Sequence, residues 1–555
     1  MRRLSVIITI MMLTLTGWAQ NIFILGGELS NSAATSVSDI DEVLPRMKAL
    51  GLNTVLVPVY WELIEPTESR MDFTLVDRTI DIARQQSLKI VPLWFGAWKN
   101  SMSCYAPAWF KRDVKRFPRA VTAEGKPLEI ASCFSDNVLQ ADLKAFSTLM
   151  QHIAEKDPQR KVVIMMQIEN EIGMLESARD HSSLADKAYC QPVPSALLKA
   201  LGIKEQGTWS DVFGTDDYAD EKFMAWHYAC YVEHLAKAAR RIHDMPLYVN
   251  AAMNSRGRKP GEYPSAGPLA HLADIWKAGA PSIDILAPDI YDTGFKSWVS
   301  QYAMPLRPQD GGKVKNRLFI PESRCCENSG VRALYAFGEH QALGFSPFAI
   351  DQASPKETES VTQAYALLSQ IFRIKTNAVA NSSLFTLHSS LKTWGLLFDQ
   401  DDKERVIDDE GVVMTCRHYF TLPWDPRATD GSIWPEAGAM LIRLGKYDYL
   451  LAGSGVVVDF KTRTEKQQEQ QKQLGEDGFA EAGSKTPNLK PQISKFSGSR
   501  LGLLSVDEVT IDQQGQMQYL RRHNGDQSHQ GRHARISIGD WKILHIQLYE
   551  YKYLY

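Results

Sequence analysis

The 555-residue sequence lacks the short motifs by which several enzyme classes are recognised. It contains no Cys-x-x-Cys pair and no His-Glu-x-x-His stretch, so a zinc site of the usual ligand spacing is not expected. No Gly-x-Gly-x-x-Gly follows any predicted strand, and this disfavours an open dinucleotide-binding sheet. Seven cysteines are scattered along the chain, and an odd number leaves at least one free or paired between chains. The spacing does not show which cysteines, if any, form a disulfide.

The sequence also lacks a strong charge of either sign. Its net charge is −3, which gives no reason to expect nucleic acid or an anionic membrane surface as a partner. A hydrophobic content of 44% and a charged content of 23% are ordinary for a soluble globular protein. The length allows one large domain and a smaller one.

Residues 1–19 have the pattern of an export signal. Arg2 and Arg3 precede the apolar stretch Leu4–Leu15, and Gly17-Trp18-Ala19 is a suitable cleavage site. The apolar stretch is too short for a membrane span, so none is expected. The alternative is a buried first strand or helix. We expect a mature protein that is periplasmic or secreted.

Residues 20–375 alternate between short apolar runs and amphipathic stretches. Such alternation is typical of parallel strands separated by helices. The predicted strands are Ile22–Gly26, Asn53–Tyr60, Leu88–Phe95, Val162–Ile168, Leu247–Ala251, Ile283–Ala287, Arg317–Ile320 and Ala342–Ile350. The predicted helices are Ile40–Leu50, Phe73–Gln86, Leu139–Ile153, Glu221–His243 and Ser360–Phe372. Eight such units predict an α/β fold with a (β/α)8 TIM barrel.

Residues 376–555 have a different pattern, in which β-forming runs are separated by turn residues. Runs such as "AMLIRLGKYDYLLAG" (439–453) and "WKILHIQLYEYKYLY" (541–555) are rich in β-forming residues. They predict a C-terminal antiparallel β-sandwich domain. The polar tract at 461–490 has few large apolar groups and predicts a flexible loop.

Polar and aromatic residues follow the predicted strands, where a barrel of this type places its active groups. They are Glu28; Tyr60, Trp61 and Glu62; Trp98, Lys99 and Asn100; Glu169, Asn170 and Glu171; Asn250 and Asn254; Asp289 and Tyr291; and Glu322. Such a set suits a polyhydroxylated ligand, because amides and acids bond to hydroxyls and rings stack on a sugar. The candidate substrate-binding residues are Asn170, Tyr291, Tyr60, Trp61, Trp98, Asn100, Asn250 and Glu28. Trp61 and Trp98 suit the core equally well, and Glu28 and Asn250 suit loop hydrogen bonds.

Two carboxylates on opposite sides of a barrel are the minimum for cleaving a glycosidic bond. Glu171 and Glu322 follow strands four and seven and can converge across the mouth. At a separation of roughly 5–5.5 Å, one acts as nucleophile and the other as acid and base. Glu169 competes with Glu171, since residues two apart on an extended strand point the same way. Position favours Glu171, which lies nearer the mouth.

The segment "QIENEIG" (167–173) resembles the strand-four signature of clan A retaining glycoside hydrolases, and especially of family 35, the β-galactosidases. "GLNTVLVPVYWELIEPTESRMDF" (51–73) and "LFIPES" (318–323) resemble that family's second and seventh strands. The resemblance implies that Glu171 is the acid/base, Glu322 the nucleophile, Asn170 a partner of the sugar 2-hydroxyl and Tyr291 a partner of the nucleophile. The segments "LWFGAWKN" (93–100) and "GFSPFAID" (344–351) depart from the family pattern, and family 42 is a near neighbour.

The resulting hypothesis is an exo-acting retaining β-galactosidase that removes terminal galactose from plant-type oligo- or polysaccharides by double displacement. Neither a metal nor a cofactor is implied, because proton transfer and covalent catalysis need only the carboxylates. Galactose as the substrate sugar rests on the resemblance alone. The alternatives are another clan A retaining enzyme, such as an endo-glycanase or β-glucosidase, and a non-catalytic glycan-binding barrel.

Overall fold

The computed structural model describes residues 23–254, 256–303, 305–306, 314–374, 392–469 and 498–552. The predicted export signal and most of the predicted polar loop lie outside these residues. The chain forms two compact units, one of residues 23–329 with 340–362, the other of residues 330–339 with 363 onward. Among the described residues, no helix combines the length and the apolar character needed to cross a bilayer.

The first unit contains a closed barrel of eight parallel strands, which confirms the predicted fold class. The strands are β1 (Ile24–Glu28), β2 (Thr54–Tyr60), β3 (Lys89–Lys99), β4 (Met166–Asn170), β5 (Leu247–Ala252), β6 (Ile285–Ile290), β7 (Phe319–Ser323) and β8 (Gly344–Pro347). Each strand pairs with the next in sequence, and β8 closes onto β1. The carboxyl ends of all eight strands therefore meet at one mouth.

Helices follow the strands in regular alternation. They are α1 (Val37–Ala49), α2 (Thr74–Gln85), α3 (Asp136–Lys156), α4 (Asp217–Ile242), α5 (Ala273–Gly279), α6 (Phe295–Tyr302), α7 (Ser329–His340) and α8 (Pro355–Ile371). Shorter elements are the helices Trp61–Ile64, Ala108–Arg112, Ser183–Tyr189, Ser195–Leu201 and Trp209–Phe213, and the two-stranded pairs Arg119–Val121 with Pro127–Ala131 and Pro305–Leu306 with Val314–Lys315. Helices α1, α3 and α4 begin earlier than predicted, because Ser36, Ser135 and Asp216 cap their first turns.

The pairing of β3 with β4 is irregular, and this irregularity reaches the mouth. Trp94 pairs with Ile168, but the next pair joins Lys99 to Asn170. Five residue steps on β3 therefore oppose two on β4, as in an extended β-bulge. We call residues 95–99 the β3 bulge. Strand β3 continues past its predicted end at Phe95, and β4 begins after its predicted start at Val162.

The second unit is an antiparallel β-sandwich, as predicted. Its strands are β9 (Thr393–Phe398), β10 (Glu404–Asp409), β11 (Val412–His418), β12 (Ala437–Gly445), β13 (Asp448–Ser454), β14 (Val456–Thr462), β15 (Ser499–Ile511), β16 (Met517–Arg522), β17 (His533–Arg535) and β18 (Lys542–Lys552). One sheet has the order β9-β12-β13-β18-β15-β16 and the other β10-β11-β14-β17. Apolar side chains from both sheets, among them Leu396, Met414, Leu441, Val458 and Leu544, form one buried core.

The beginning of the predicted polar loop is ordered, which corrects that prediction for residues 461–469. Strand β14 extends to Thr462, and residues 463–469 are helical. The buried carboxylate of Glu465 accepts hydrogen bonds from the backbone N–H groups of Thr462 and Leu501. Composition alone did not reveal these anchors. All seven cysteines are free thiols.

Candidate active site

Glu171 and Glu322 converge at the mouth of the barrel. Glu322 lies on β7, and Glu171 directly follows β4. Both residues are buried, Glu171 with 5% and Glu322 with 2% of its surface exposed. A carboxylate oxygen of each lies within 4.8 Å of the other. This separation matches the close spacing of a retaining carboxylate pair, roughly 5–5.5 Å, and not the wider spacing of an inverting pair.

Three neutral hydrogen-bond donors hold the Glu322 carboxylate. The Tyr291 hydroxyl donates to Oε2 at 2.6 Å. The side-chain amides of Asn170 and Asn250 donate to Oε1 at 3.1 and 3.3 Å. Donors aimed at a carboxylate favour its ionised form and restrict its rotation. Glu322 is therefore held in one orientation at the mouth.

Glu171 lies in a different environment. Burial, followed by the charge of Glu322, raises the pKa of Glu171 to about 7. Its Oε2 is in contact with the Asn100 side-chain amide, and its backbone N–H donates to Asn250 Oδ1 at 3.0 Å. The raised pKa of Glu171 suits a proton donor, and the three donors around Glu322 suit an oriented nucleophile.

Glu28 and Lys99 complete the floor of the mouth. Both are buried, and neither Glu28 oxygen has a hydrogen-bond partner in the described part of the chain. Burial, followed by the charge of Glu322, raises the pKa of Glu28 well above its usual range. Burial lowers the pKa of Lys99, but the charges of Glu322, Glu171 and Glu28 outweigh it and leave the pKa raised. Lys99 is therefore a buried ammonium group, with its Nζ 5.0 Å from the ring centroid of Phe95.

Asp289 is a third carboxyl group at the site. Its oxygen lies within 4.8 Å of oxygens of both Glu171 and Glu322, and its Oδ2 accepts from Asn250 Nδ2 at 2.7 Å. Burial, followed by the charge of Glu322, raises the pKa of Asp289 well above its usual range. The three carboxyl oxygens have the spacing of cation ligands, but the ammonium of Lys99 already supplies positive charge beside them.

Sequence reasoning placed Asp289 and Lys99 at strand ends and gave neither a role. The signal that identifies Asp289 is its spacing from Tyr291, because side chains two apart on a strand share a face. No comparable signal identifies Lys99, because its entry into the mouth depends on the β3 bulge.

Three of the predicted substrate-binding residues are buried in the core. Trp61 is fully buried, and its Nε1 donates to Glu65 Oε2 at 3.0 Å. Trp98 is fully buried with its ring edge-on to Tyr231 of α4. Tyr60 is 2% exposed, and its hydroxyl accepts from the Ala34 N–H at 3.4 Å. These contacts favour core packing for the three rings, and their part in binding substrate stays a prediction.

The strand-four ambiguity is resolved by backbone conformation. Glu169 and Glu171 have φ angles of +56° and +45°, in the left-handed region that non-glycine residues rarely adopt. The strand is therefore not extended here, and the expectation that both side chains point the same way is wrong. Glu171 lies beside Glu322 in the mouth, whereas Glu169 accepts from the Trp98 N–H of the neighbouring strand β3 at 2.8 Å. Such conformations cost about 1–3 kcal/mol each and cluster at functional sites.

Family comparison agrees with the clan implied by the residues. Residues 33–246, which include Glu171 but end before Glu322, match the glycoside hydrolase family 42 model, described as β-galactosidase. The first half of the barrel is therefore similar to a family of clan A glycoside hydrolases. The predicted membership of family 35 gains no support, and the match is to the neighbouring family. Residues 361–535 match a domain of unknown function (DUF5597).

Similar solved structures include three β-galactosidases. That of the psychrophilic Marinomonas ef1 is 14% identical over 62% of this chain and 59% of its own, with a TM-score of 0.43. That of Bacillus circulans sp. alkalophilus is 15% identical over 64% and 57%, with a TM-score of 0.45. A catalytic mutant of a family 42 enzyme from G. stearothermophilus is 16% identical over 64% and 57%, with a TM-score of 0.45. This chain spans less than three fifths of the length of each.

Proposed function

We propose that this chain is a retaining β-galactosidase. The observation that carries the proposal is the pair formed by Glu171 and Glu322, whose oxygens lie within 4.8 Å of one another. Three donors orient Glu322, and the pKa of Glu171 is raised to about 7. The match of residues 33–246 to a β-galactosidase family supports galactose as the sugar.

In the first step, ionised Glu322 attacks the anomeric carbon of the galactoside. The bond from that carbon to the leaving oxygen breaks, and protonated Glu171 transfers its proton to that oxygen. Asn170 donates to Glu322 Oε1. By the resemblance to clan A enzymes, we assign Asn170 also to the 2-hydroxyl of the sugar. The products are a free alcohol and a covalent galactosyl-enzyme on Glu322.

In the second step, Glu171 is a carboxylate and acts as a base. It removes a proton from water, and the water oxygen attacks the anomeric carbon and displaces Glu322. Two displacements at one carbon restore the original configuration, so β-galactose is released. Both glutamates return to their starting protonation states.

The finer features of the substrate are part of the proposal. Glu28 and Lys99 are buried, and no N–H or O–H donor of the described residues reaches the Glu28 oxygens, so both are suited to bind hydroxyls of a terminal sugar. We propose exo action on plant-type oligo- or polysaccharides, in line with the resemblance of the barrel sequence. We also propose a periplasmic or secreted location, on the basis of residues 1–19 alone.

Initial rates on aryl β-galactoside, β-glucoside, β-xyloside and α-arabinoside test the proposal. Turnover dominated by the galactoside, with β-galactose as the first product by ¹H NMR, is the expected result. The Glu322→Ala variant is the control and should show only background hydrolysis. Preference for the glucoside would favour a β-glucosidase, and turnover of long glycans alone an endo-glycanase. Inactivity on all of them with retained glycan binding would favour a non-catalytic barrel.

A further inference from the structure

A buried pair of carboxyl groups lies behind the catalytic strand and takes no part in the reaction above. Glu169 of β4 and Asp142 of α3 are both fully buried, and their carboxyl groups are in hydrogen-bond contact. Burial, followed by the charge of Asp142, raises the pKa of Glu169 well above its usual range, and burial also raises the pKa of Asp142. Two carboxyl groups in contact away from water resist losing both protons.

Each member of the pair has its own hydrogen-bond donors. Asp142 accepts from Trp94 Nε1 at 2.9 Å and from the Tyr231 hydroxyl of α4 at 2.8 Å. Glu169 accepts from the backbone N–H groups of Trp98 at 2.8 Å and Ala97 at 3.3 Å. The pair therefore fastens the β3 bulge, through its backbone, to two helices and to β4.

The β3 bulge and the end of β4 carry the partners of Glu171. Asn100 directly follows the bulge, and its side chain is in contact with Glu171 Oε2. The Ser101 N–H donates to the Glu171 carbonyl at 3.1 Å. Glu169 itself stands two residues before Glu171 in the left-handed backbone segment. Such a conformation persists only where the surrounding contacts impose it.

We propose that Glu169, acting through its contact with Asp142, is a positioning residue for the Glu171 carboxyl group and for Asn100. This inference rests on the proposed function for its kinetic meaning, but its structural content is independent of activity. Loss of Glu169 removes contacts that hold the β3 bulge and the backbone of residues 169–171 in place. Glu171 then donates its proton poorly, while the attack by Glu322 is unchanged.

The test compares Glu169→Ala, Glu169→Gln and a control, Glu233→Ala. A glutamine at 169 can donate to Asp142 and still accept from the Trp98 N–H, and it loses only the longer contact with the Ala97 N–H. Glu233 is a buried acid of α4 that accepts from the N–H and hydroxyl of Ser282, each at 2.9 Å. Ser282 precedes β6, so this contact lies at the end of the barrel away from the mouth.

The rate constant kcat/KM is measured on aryl β-galactosides whose leaving groups differ in acidity. The comparison uses kcat/KM, which reports the first step alone, because turnover of the dinitrophenyl substrate also includes the second step, in which Glu171 acts as base. Proton donation in the first step matters for phenol and hardly at all for 2,4-dinitrophenol, so kcat/KM of Glu169→Ala should fall about 10²-fold or more on the phenyl substrate and little on the dinitrophenyl substrate. Glu169→Gln should stay near the wild-type rates on both. Glu233→Ala should affect both substrates equally. An equal loss on both substrates in Glu169→Ala overturns the proposal.

A crystal structure of Glu169→Ala provides a readout that does not depend on activity. The contact between Asn100 and Glu171 should be lost or displaced, and an unchanged contact overturns the proposal. If the alanine variant does not fold, Glu169→Asp replaces it, because the shorter side chain cannot reach Asp142 and the β3 amides together. If the wild type hydrolyses no galactoside, the proposed function fails, while the crystal structure still decides the positioning role.

Discussion

The Tyr291 hydroxyl donates to Glu322 Oε2 at 2.6 Å, joining the residue after β6 to the carboxylate on β7. Burial, followed by the charge of Glu322, raises the pKa of Tyr291 far above its usual range, so the phenol stays a donor at any working pH. Oε1 of the same carboxylate is held by two amides. Glu322 is thus oriented through both oxygens before any substrate arrives.

Removal of this phenol should slow the attack on the substrate. A hydrogen bond to a charged group contributes about 1.5–3 kcal/mol, so Tyr291→Phe should lower kcat/KM roughly ten- to hundredfold. The ring is retained, so the thermal midpoint should change little. If kcat/KM fell only through a rise in KM, with kcat unchanged, this account would be contradicted, because the phenol would then act in binding alone. Steady-state kinetics with circular dichroism melts distinguish the two.

Replacement of Glu171 should leave a recoverable enzyme. Glu171→Ala should lose about 10²–10⁴-fold on a phenyl galactoside, because its proton donor is gone. Azide is small enough to occupy the vacated space and attack the galactosyl-enzyme directly, so it should restore turnover of a dinitrophenyl galactoside. The product should be β-galactosyl azide. Absence of rescue, or an α-azide, would contradict the assignment of Glu171 as acid/base.

Activity should decline as the pH rises through about 7. The pKa of Glu171 is raised to about 7, and the first step needs its protonated form. The positive charge of Lys99 lowers the pKa of Glu171, so Lys99→Met should move this alkaline decline to higher pH. The pH profiles of kcat/KM for the two proteins measure the shift. A shift toward lower pH would show that Lys99 does not act on Glu171 by its charge.

Glu28 should reduce stability at neutral and alkaline pH. Its folded-state pKa is raised by burial and by Glu322, so the folded state holds a proton that the unfolded state releases above its ordinary pKa. This cost is absent below about pH 4 and grows as the pH rises. Glu28→Gln should therefore raise the thermal midpoint at pH 8 and leave it unchanged at pH 4, while lowering activity. An equal effect at both pH values would exclude a charge origin.

Trp61 should act on stability and not on substrate binding. It is fully buried and packs at 87° to the Trp109 ring, with centroids 5.8 Å apart. Trp61→Ala should reduce the free energy of unfolding by about 3–5 kcal/mol. The KM of the folded fraction should stay at the wild-type value. A selective rise in KM would instead return this ring to the sugar site.

The sequence predicted the barrel because all eight strands and five of the helices between them have recognisable patterns, whereas the helices Ala273–Gly279, Phe295–Tyr302 and Ser329–His340 were not predicted. It also placed Glu171, Glu322, Asn170 and Tyr291 at strand ends, which a closed barrel brings together. It could not show that Glu169 and Glu171 diverge, because left-handed backbone in a glutamate has no pattern of its own. The direction of Trp98 and the entry of Lys99 into the mouth depend on the β3 bulge, which no periodicity reveals.

Gly96 within the β3 bulge leads to a different kind of expectation. A Cβ atom there would lie 2.2 Å from Trp94 Nε1 and 2.6 Å from Glu169 Oε1. The Trp94 indole is fully buried and hydrogen-bonded to Asp142, so it has no room to move away. A library randomised at position 96 and selected for growth on a galactoside should therefore return glycine almost alone, although this residue has no side chain with which to touch a substrate. Selection for activity would then select for the absence of a side chain on the strand next to the one that precedes the catalytic acid.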